Sequence, residues 1–157
     1  QMSRVAKKVA LFQAANMSMG VNVIKYLVAE AAKVLMHGFD IEIVEKHHNK
    51  KKDAPSGTAL ALADVINEVR GNDLSYVHGR KEKNKLRNPA ELGIHAVRGG
   101  SIVGDHDVIF AGKDEVVTVS HRAYSRRVFA AGAVGAARFL VGKEPGLYSM
   151  DEVVAGS

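Results

Sequence analysis

The 157-residue chain has no cysteine, no tryptophan and only three prolines. Without cysteine it can build neither a disulfide framework nor a thiolate zinc site, which agrees with a reducing, cytoplasmic setting. No apolar stretch approaches the roughly 20 residues that span a bilayer, so no membrane partner is expected. The start also lacks the pattern of a signal peptide. Aromatic residues make up only 6% of the chain against a net charge of +5, a poor match to the basic, aromatic-studded surfaces that hold nucleic acids. The lysines gather instead in two stretches, 46–52 and 80–87, and a small anion accounts for the first better than a polynucleotide does. With 46% hydrophobic residues the chain can bury one core. It has no internal repeat and no low-complexity linker.

After Ser18, the spacing of Val21, Ile24, Val28, Ala31 and Leu35 predicts a helix that ends near His37 and Gly38. Ile41 and Ile43 alternate with Asp40 and Glu42 as in a strand over 40–48, and Ala59, Leu62, Ala63, Ile66 and Val69 have helical spacing over 56–70. From Gly71 to Pro89 the chain turns polar and reads as a surface loop. Extended segments follow at 92–103, 105–112 and 114–122, then a helix over 126–141 rich in Ala130, Ala133, Gly135, Ala136 and Ala137. The fold class is therefore α/β (α+β), a mixed four-stranded sheet with flanking helices. Ile94, Ala96, Ile102, Val108, Phe110, Val117 and Val119 offer more apolar surface than one helical layer covers, so a second sheet is expected against them.

The run from Glu45 to Ala59, EKHHNKKKDAPSGTA, places two imidazoles and a lysine cluster in the loop between that strand and the next helix. Pro55 ends the extended part, Ser56 is a natural N-cap, and Gly57 lets a ligand approach the backbone. The helix start at Gly57 and Thr58 suits a carboxylate or phosphate, and Lys50, Lys51 and Lys52 add mobile positive charge. Taken singly, the lysines also fit a solvated turn and the histidines a structural strand end. Adjacent strand residues face opposite ways, so His47 and His48 do not chelate one metal, and no metal site is expected. Asp53 orders the loop. His37, His78, His95, His106 and His121 receive no role.

This run resembles, position for position, the signature of the 4-hydroxy-tetrahydrodipicolinate reductase (dihydrodipicolinate reductase) family of lysine and diaminopimelate biosynthesis. The segments Gly93–His106 (GIHAVRGGSIVGDH) and Ser125–Ala133 (SRRVFAAGA) agree with the same family. So does Asn16–Asn22 (NMSMGVN), with Ala15 and Met17 where proline and phenylalanine are common. The resemblance implies an NADPH- or NADH-dependent oxidoreductase acting on a cyclic, imine-type dicarboxylate. It implies His47 as general acid/base and Lys51 as second proton donor. His48, Gly57 and Thr58 become substrate contacts, Ala14, Ala15, Asn16 and Met17 cofactor-side residues, and Arg126 an interface contact. The substrate's carboxylates favour the protonated forms of His47 and Lys51.

The family's nucleotide-binding domain carries a glycine-rich turn, and no G-x-G-x-x-G occurs here. Residues 1–17 then read as the last helix and strand of that domain. Residues 18–125 form a substrate-binding and tetramerisation domain, and 126–157 are C-terminal helices that pack back toward the nucleotide. A homotetramer through the sheet is implied. A stand-alone anion-binding or assembly module without redox chemistry remains an alternative, and a basic nucleic-acid binder ranks last.

Overall fold

A computed structural model describes residues 2–35 and 37–156. Gln1, Met36 and Ser157, each inside or beside a segment expected to be helical, lie outside the described residues. In chain order the elements are α1 (Met2–Val5), β1 (Ala10–Phe12), α2 (Met19–Val34), β2 (Asp40–His47), α3 (Gly57–Val69), β3 (Ser75–His78), β4 (Glu91–Arg98), β5 (Gly104–Ala111), β6 (Val116–Ala123), α4 (Arg127–Leu140), β7 (Gly146–Tyr148) and α5 (Met150–Ala155). They divide into two compact units, residues 24–124 and residues 1–23 with 125–157.

The larger unit holds a mixed sheet in the order β3-β4-β2-β5-β6 among the described residues. β2 is central, parallel to β4 and antiparallel to β5, and the parallel connection runs through α3, because two parallel strands need a crossover too long for a turn. Ile41 and Ile43 of β2, Leu92 and Ile94 of β4, and Val108 and Phe110 of β5 are buried with Ile24, Val28 and Ala32 of α2 and Ala59, Leu62, Ala63 and Ile66 of α3. Helical spacing and strand alternation thus meet in one core.

The α/β class is as expected, but the sheet has five strands rather than four. β3 lies inside the stretch read as a loop; its four residues are too few for a period-2 pattern to register, and it forms because its backbone pairs with β4 from Ser75↔Glu91 to His78↔Ile94. β4 in turn stops at Arg98, since Gly100 follows with φ +49°, a left-handed turn that strands do not continue through. The remainder of the polar stretch is tethered to the sheet. Arg87 donates to Glu42 at 2.9 Å, to Asp40 at 2.7 Å and to the Glu91 carbonyl at 2.6 Å, and Arg80 reaches Glu42 and Glu91 at 2.6 Å each. Glu42 also meets His95 at 2.6 Å. Burial would raise the Glu42 carboxyl, but bonds from His95, Arg87 and Arg80 outweigh it and hold the group below its ordinary value.

Register assigns the faces. Val108 opposes Val119 and Phe110 opposes Val117, while Glu45 opposes Ala96. Ile94, Ala96, Val108, Phe110, Val117 and Val119 therefore share the side that α2 and α3 cover, and Ile102 lies beyond the end of β4. Ile94, Val108 and Phe110 are buried there and Val119 partly so, whereas Ala96 and Val117 remain exposed. The opposite face is a polar ladder, in which Lys46 donates to Asp107 at 2.9 Å and Arg122 lies 3.9 Å from both Asp105 and Asp107.

In the smaller unit β1 pairs in parallel with β7, and Gln13 N–H continues the ladder to the Tyr148 carbonyl. Ser149 caps α5 through a capping box with Glu152. The turn before α2 is closed by its own polar groups. Asn16 Oδ1 accepts from Ser18 N–H at 2.8 Å, and the Asn22 amide donates to the Asn16 and Ser18 carbonyls at 3.0 and 2.8 Å. α4 lies against this turn at Gly132, where a Cβ would stand 1.7 Å from the Met17 carbonyl oxygen. Gly135, one turn on, would meet nothing within 4 Å. Gly132→Ala should therefore destabilise the chain by about 1–3 kcal/mol, as overpacking does. Gly135→Ala should stabilise it by about 0.5–1 kcal/mol through helix propensity. Urea midpoints of the two variants check both signs.

Candidate functional site

The parallel strands β2 and β4 end side by side, bringing His47 and Arg98 into register. Strand alternation turns Glu45 and His47 to the same face, toward α3. Glu45 is completely buried and His47 is 9% exposed. The Glu45 carboxylate accepts four bonds. Oε2 takes His47 Nδ1 at 2.5 Å and Arg98 Nη1 at 2.8 Å, and Oε1 takes Arg98 Nη2 at 2.6 Å and the Ser56 backbone N–H at 3.0 Å. Burial would raise its proton affinity, but the bonds from Arg98, His47 and Ser56 prevail and keep Glu45 below its ordinary value. An ionised carboxylate can only accept, so the hydrogen shared with His47 resides on Nδ1. The other ring nitrogen, Nε2, is then the atom that can take or give a proton. It looks over Gly104, where a Cβ would come within 3.1 Å of it.

Ser56 connects this pair to α3. Its hydroxyl accepts from Ala59 N–H at 3.2 Å as the N-cap and shares a 3.1 Å hydrogen bond with His106 Nε2. The His106 ring meets that of His47 edge-on, with centroids 5.2 Å apart. Burial, then the positive charge available on His47, pushes His106 down to about 4, so it is neutral near pH 7. Its Nδ1 and that of His121, opposite it on β6, are buried without a hydrogen-bond partner among the described residues.

The loop between β2 and α3 is pinned from both sides. Arg98 Nη2 donates to the Asp53 carbonyl at 2.8 Å, Gly99 N–H to the His47 carbonyl at 2.9 Å, and Asn49 N–H to the Gly100 carbonyl at 3.2 Å. The Ala54–Pro55 peptide bond is cis. Lys51 Nζ donates to Asp53 at 2.8 Å and holds that carboxyl below its usual value. The Asp53 side chain is exposed and meets Lys51 within the loop, while its backbone carbonyl is the group that Arg98 holds. Lys50, Lys52 and Gly57 are exposed, and His48, Lys51 and Thr58 are half-buried.

His47, His48, Lys51, Gly57 and Thr58 thus fall on one strand end, one short loop and one helix start of the larger unit. Ala14, Ala15, Asn16, Met17 and Arg126 belong to the smaller unit. There Asn16 spends its side chain and carbonyl on closing its own turn, and Arg126 is exposed at the start of α4 with no side-chain cap. No group of three or more His, Cys, Asp or Glu side chains could hold a metal among the described residues.

The family described as "Dihydrodipicolinate reductase, C-terminus" matches residues 20–154. The chain belongs to this family. It is 62% identical over 149 residues to a 4-hydroxy-tetrahydrodipicolinate reductase of Caldanaerobacter subterraneus subsp. tengcongensis, covering 95% of this chain and 59% of that protein. It is 54% identical over 146 residues to one of Clostridium tetani, covering 93% and 57%. A solved dihydrodipicolinate reductase from Paenisporosarcina sp. TG-14, described as dipicolinate-bound, superposes with a TM-score of 0.72 at 28% identity, over 92% of this chain and 55% of that one. The chain spans a little over half the length of the curated relatives it matches.

Three participants carried no role in the sequence reading: Glu45, Arg98 and His106. Glu45 was accessible in principle, since residues two apart on a strand share a face. Arg98 reaches it from β4, while His106 reaches Ser56 and the His47 ring from β5, and strand register is invisible in a single sequence.

Because His106 binds a proton at about 4 when folded and near 6.5 when unfolded, the unfolded chain holds more protons between those values. Stability therefore rises with pH across that window. Acidification from pH 6.5 to 4 should cost about 3 kcal/mol from this residue, and His106→Gln should flatten that part of a curve of denaturation midpoint against pH. Ser56→Ala removes the cap and should cost about 1–2 kcal/mol at neutral pH by the same measurement.

Proposed function

We propose that this chain is the substrate-binding half of a 4-hydroxy-tetrahydrodipicolinate reductase, which reduces a cyclic imine-type dicarboxylate with NADH or NADPH in cytoplasmic lysine and diaminopimelate biosynthesis. The supporting observation is the linkage of His47 and the start of α3 through the single carboxylate of Glu45, in a chain so similar to named reductases.

In this reading one carboxylate of the substrate lies at the exposed start of α3. There Gly57 and Thr58 present the positive end of a 13-residue helix, with Lys51 beside it and His48 as a further contact. The nicotinamide supplies a hydride. The electron pair left on the reduced substrate takes a proton from His47 Nε2, and Lys51 is the second donor. Glu45 stabilises the imidazolium that precedes transfer. Ala14, Ala15, Met17 and Arg126 form this chain's share of the cofactor side, with Asn16 shaping their turn. The absence of a G-x-G-x-x-G run limits that share to a fringe of the dinucleotide. The subunits assemble as a homotetramer through the sheet. Val97 and Val116, 44% and 62% exposed on the polar face, favour that arrangement, which sedimentation analysis would test.

Calorimetric titration of pyridine-2,6-dicarboxylate into the chain tests the site. Saturable binding is expected, weakened at least tenfold, about 1.4 kcal/mol, in Lys51→Ala and Thr58→Ala. No binding by the unsubstituted chain, or equal binding of pyridine-2-carboxylate, would overturn the assignment of a dicarboxylate site to this half.

A further inference from the structure

We infer that Glu45, clamped by Arg98, is a positioning residue that sets the tautomer of His47 and fixes its distance from the anion-binding end of α3. The inference rests on the proposed roles of His47 and the helix start, and extends them to two residues that no substrate need touch.

The geometry is specific. The two oxygens of one buried carboxylate face different parts of the site: Oε2 faces the imidazole and Oε1 faces the backbone N–H of Ser56, the cap of α3. Arg98 bridges both oxygens, at 2.8 and 2.6 Å, and its Nη2 continues to the Asp53 carbonyl in the connecting loop. A paired guanidinium and carboxylate are planar and bidentate, so the fork restrains rotation of the carboxylate as well as its place. The groups facing His47 are Glu45 on its own strand, Arg98 through that carboxylate, and His106 of β5. Neutral His106 adds no charge near pH 7. Glu45 thus supplies the directional contact to Nδ1, leaving Nε2 as the exchangeable position over Gly104.

Glu45→Gln separates these functions with almost no change in shape. Oε1 receives two donors that cannot reverse, the Ser56 N–H and Arg98 Nη2, so the amide oxygen must stay there. Its NH2 then takes the place of Oε2, so that Arg98 Nη1 loses its acceptor there and the amide faces His47 Nδ1, which, unlike the other three donors, can become an acceptor. The neutral ring should move its hydrogen from Nδ1 to Nε2. Arg98→Lys keeps the charge but loses the fork, and should loosen the Ser56 contact while leaving Glu45 ionised.

The test uses the full 157-residue chain, with ring-nitrogen NMR shifts of His47 measured at a pH where the imidazole is neutral, alongside calorimetry with pyridine-2,6-dicarboxylate. Expected are an Nδ1–H tautomer in the unsubstituted chain, an Nε2–H tautomer in folded Glu45→Gln, and Nδ1–H retained in Arg98→Lys with at least threefold weaker binding of the probe. An Nε2–H tautomer in the unsubstituted chain, or Nδ1–H persisting in Glu45→Gln with native backbone spectra, would overturn the inference. So would unchanged probe affinity in Arg98→Lys. Should Glu45→Gln fail to fold, Glu45→Asp replaces it, and an unchanged Nδ1 shift in that shortened variant counts against the proposal. If the probe does not bind the unsubstituted chain, the dicarboxylate site is lost as a reading, while the tautomer result still decides the role of Glu45.

Discussion

A single buried carboxylate organises the loop end of the larger unit's central strands. Glu45 accepts from a histidine, from both arms of an arginine and from a backbone amide, and so joins β2, β4 and the cap of α3. Burying a charge is costly unless every lone pair is used and an opposite charge lies close by. Here both conditions hold, which allows the group to stay ionised inside the protein. An apolar residue in its place could pack against the same neighbours, but would give the imidazole no direction and the Ser56 N–H no acceptor.

The topology of the sheet makes this convergence possible. Because β2 and β4 are parallel, their carboxyl ends arrive together, and the short link from β4 to β5 returns Gly104 to the same end. The core and the Glu45–His47 pair therefore share one surface, with Ile41, Ile43, Glu45 and His47 following one another along a single strand from the interior to the loop.

Much of this was legible from residue order. The helices α2 and α3 followed from periodic Ile, Val, Leu and Ala, and β2 followed from alternation. The motif from Glu45 to Ala59 located the loop and the cap, since these depend on neighbours in the chain. β3 escaped because a four-residue edge strand is defined by its partner more than by its composition. Arg98 and His106 escaped for a related reason: 53 residues separate Arg98 from Glu45 in one hydrogen bond and 50 separate His106 from Ser56 in another. The apolar residues of β5 and β6 were recognised, but the side they face depends on register, which places them on the side of the sheet where α2 and α3 pack. Gly132 belongs to the same class, because its smallness is required by a carbonyl more than 100 positions away in the chain.

The arginine clamp on the polar face has an electrostatic consequence. Arg80 and Arg87 are matched by Asp40, Glu42 and Glu91, so their charge is spent locally and contributes little field at a distance. Lys50 and Lys52 stand exposed beside the start of α3. Both lysines keep their charge toward the solvent, where it acts over about a Debye length, some 8–10 Å at physiological salt. Pairing thus removes the two arginines from long-range attraction, while the lysines ahead of α3 still face the solvent.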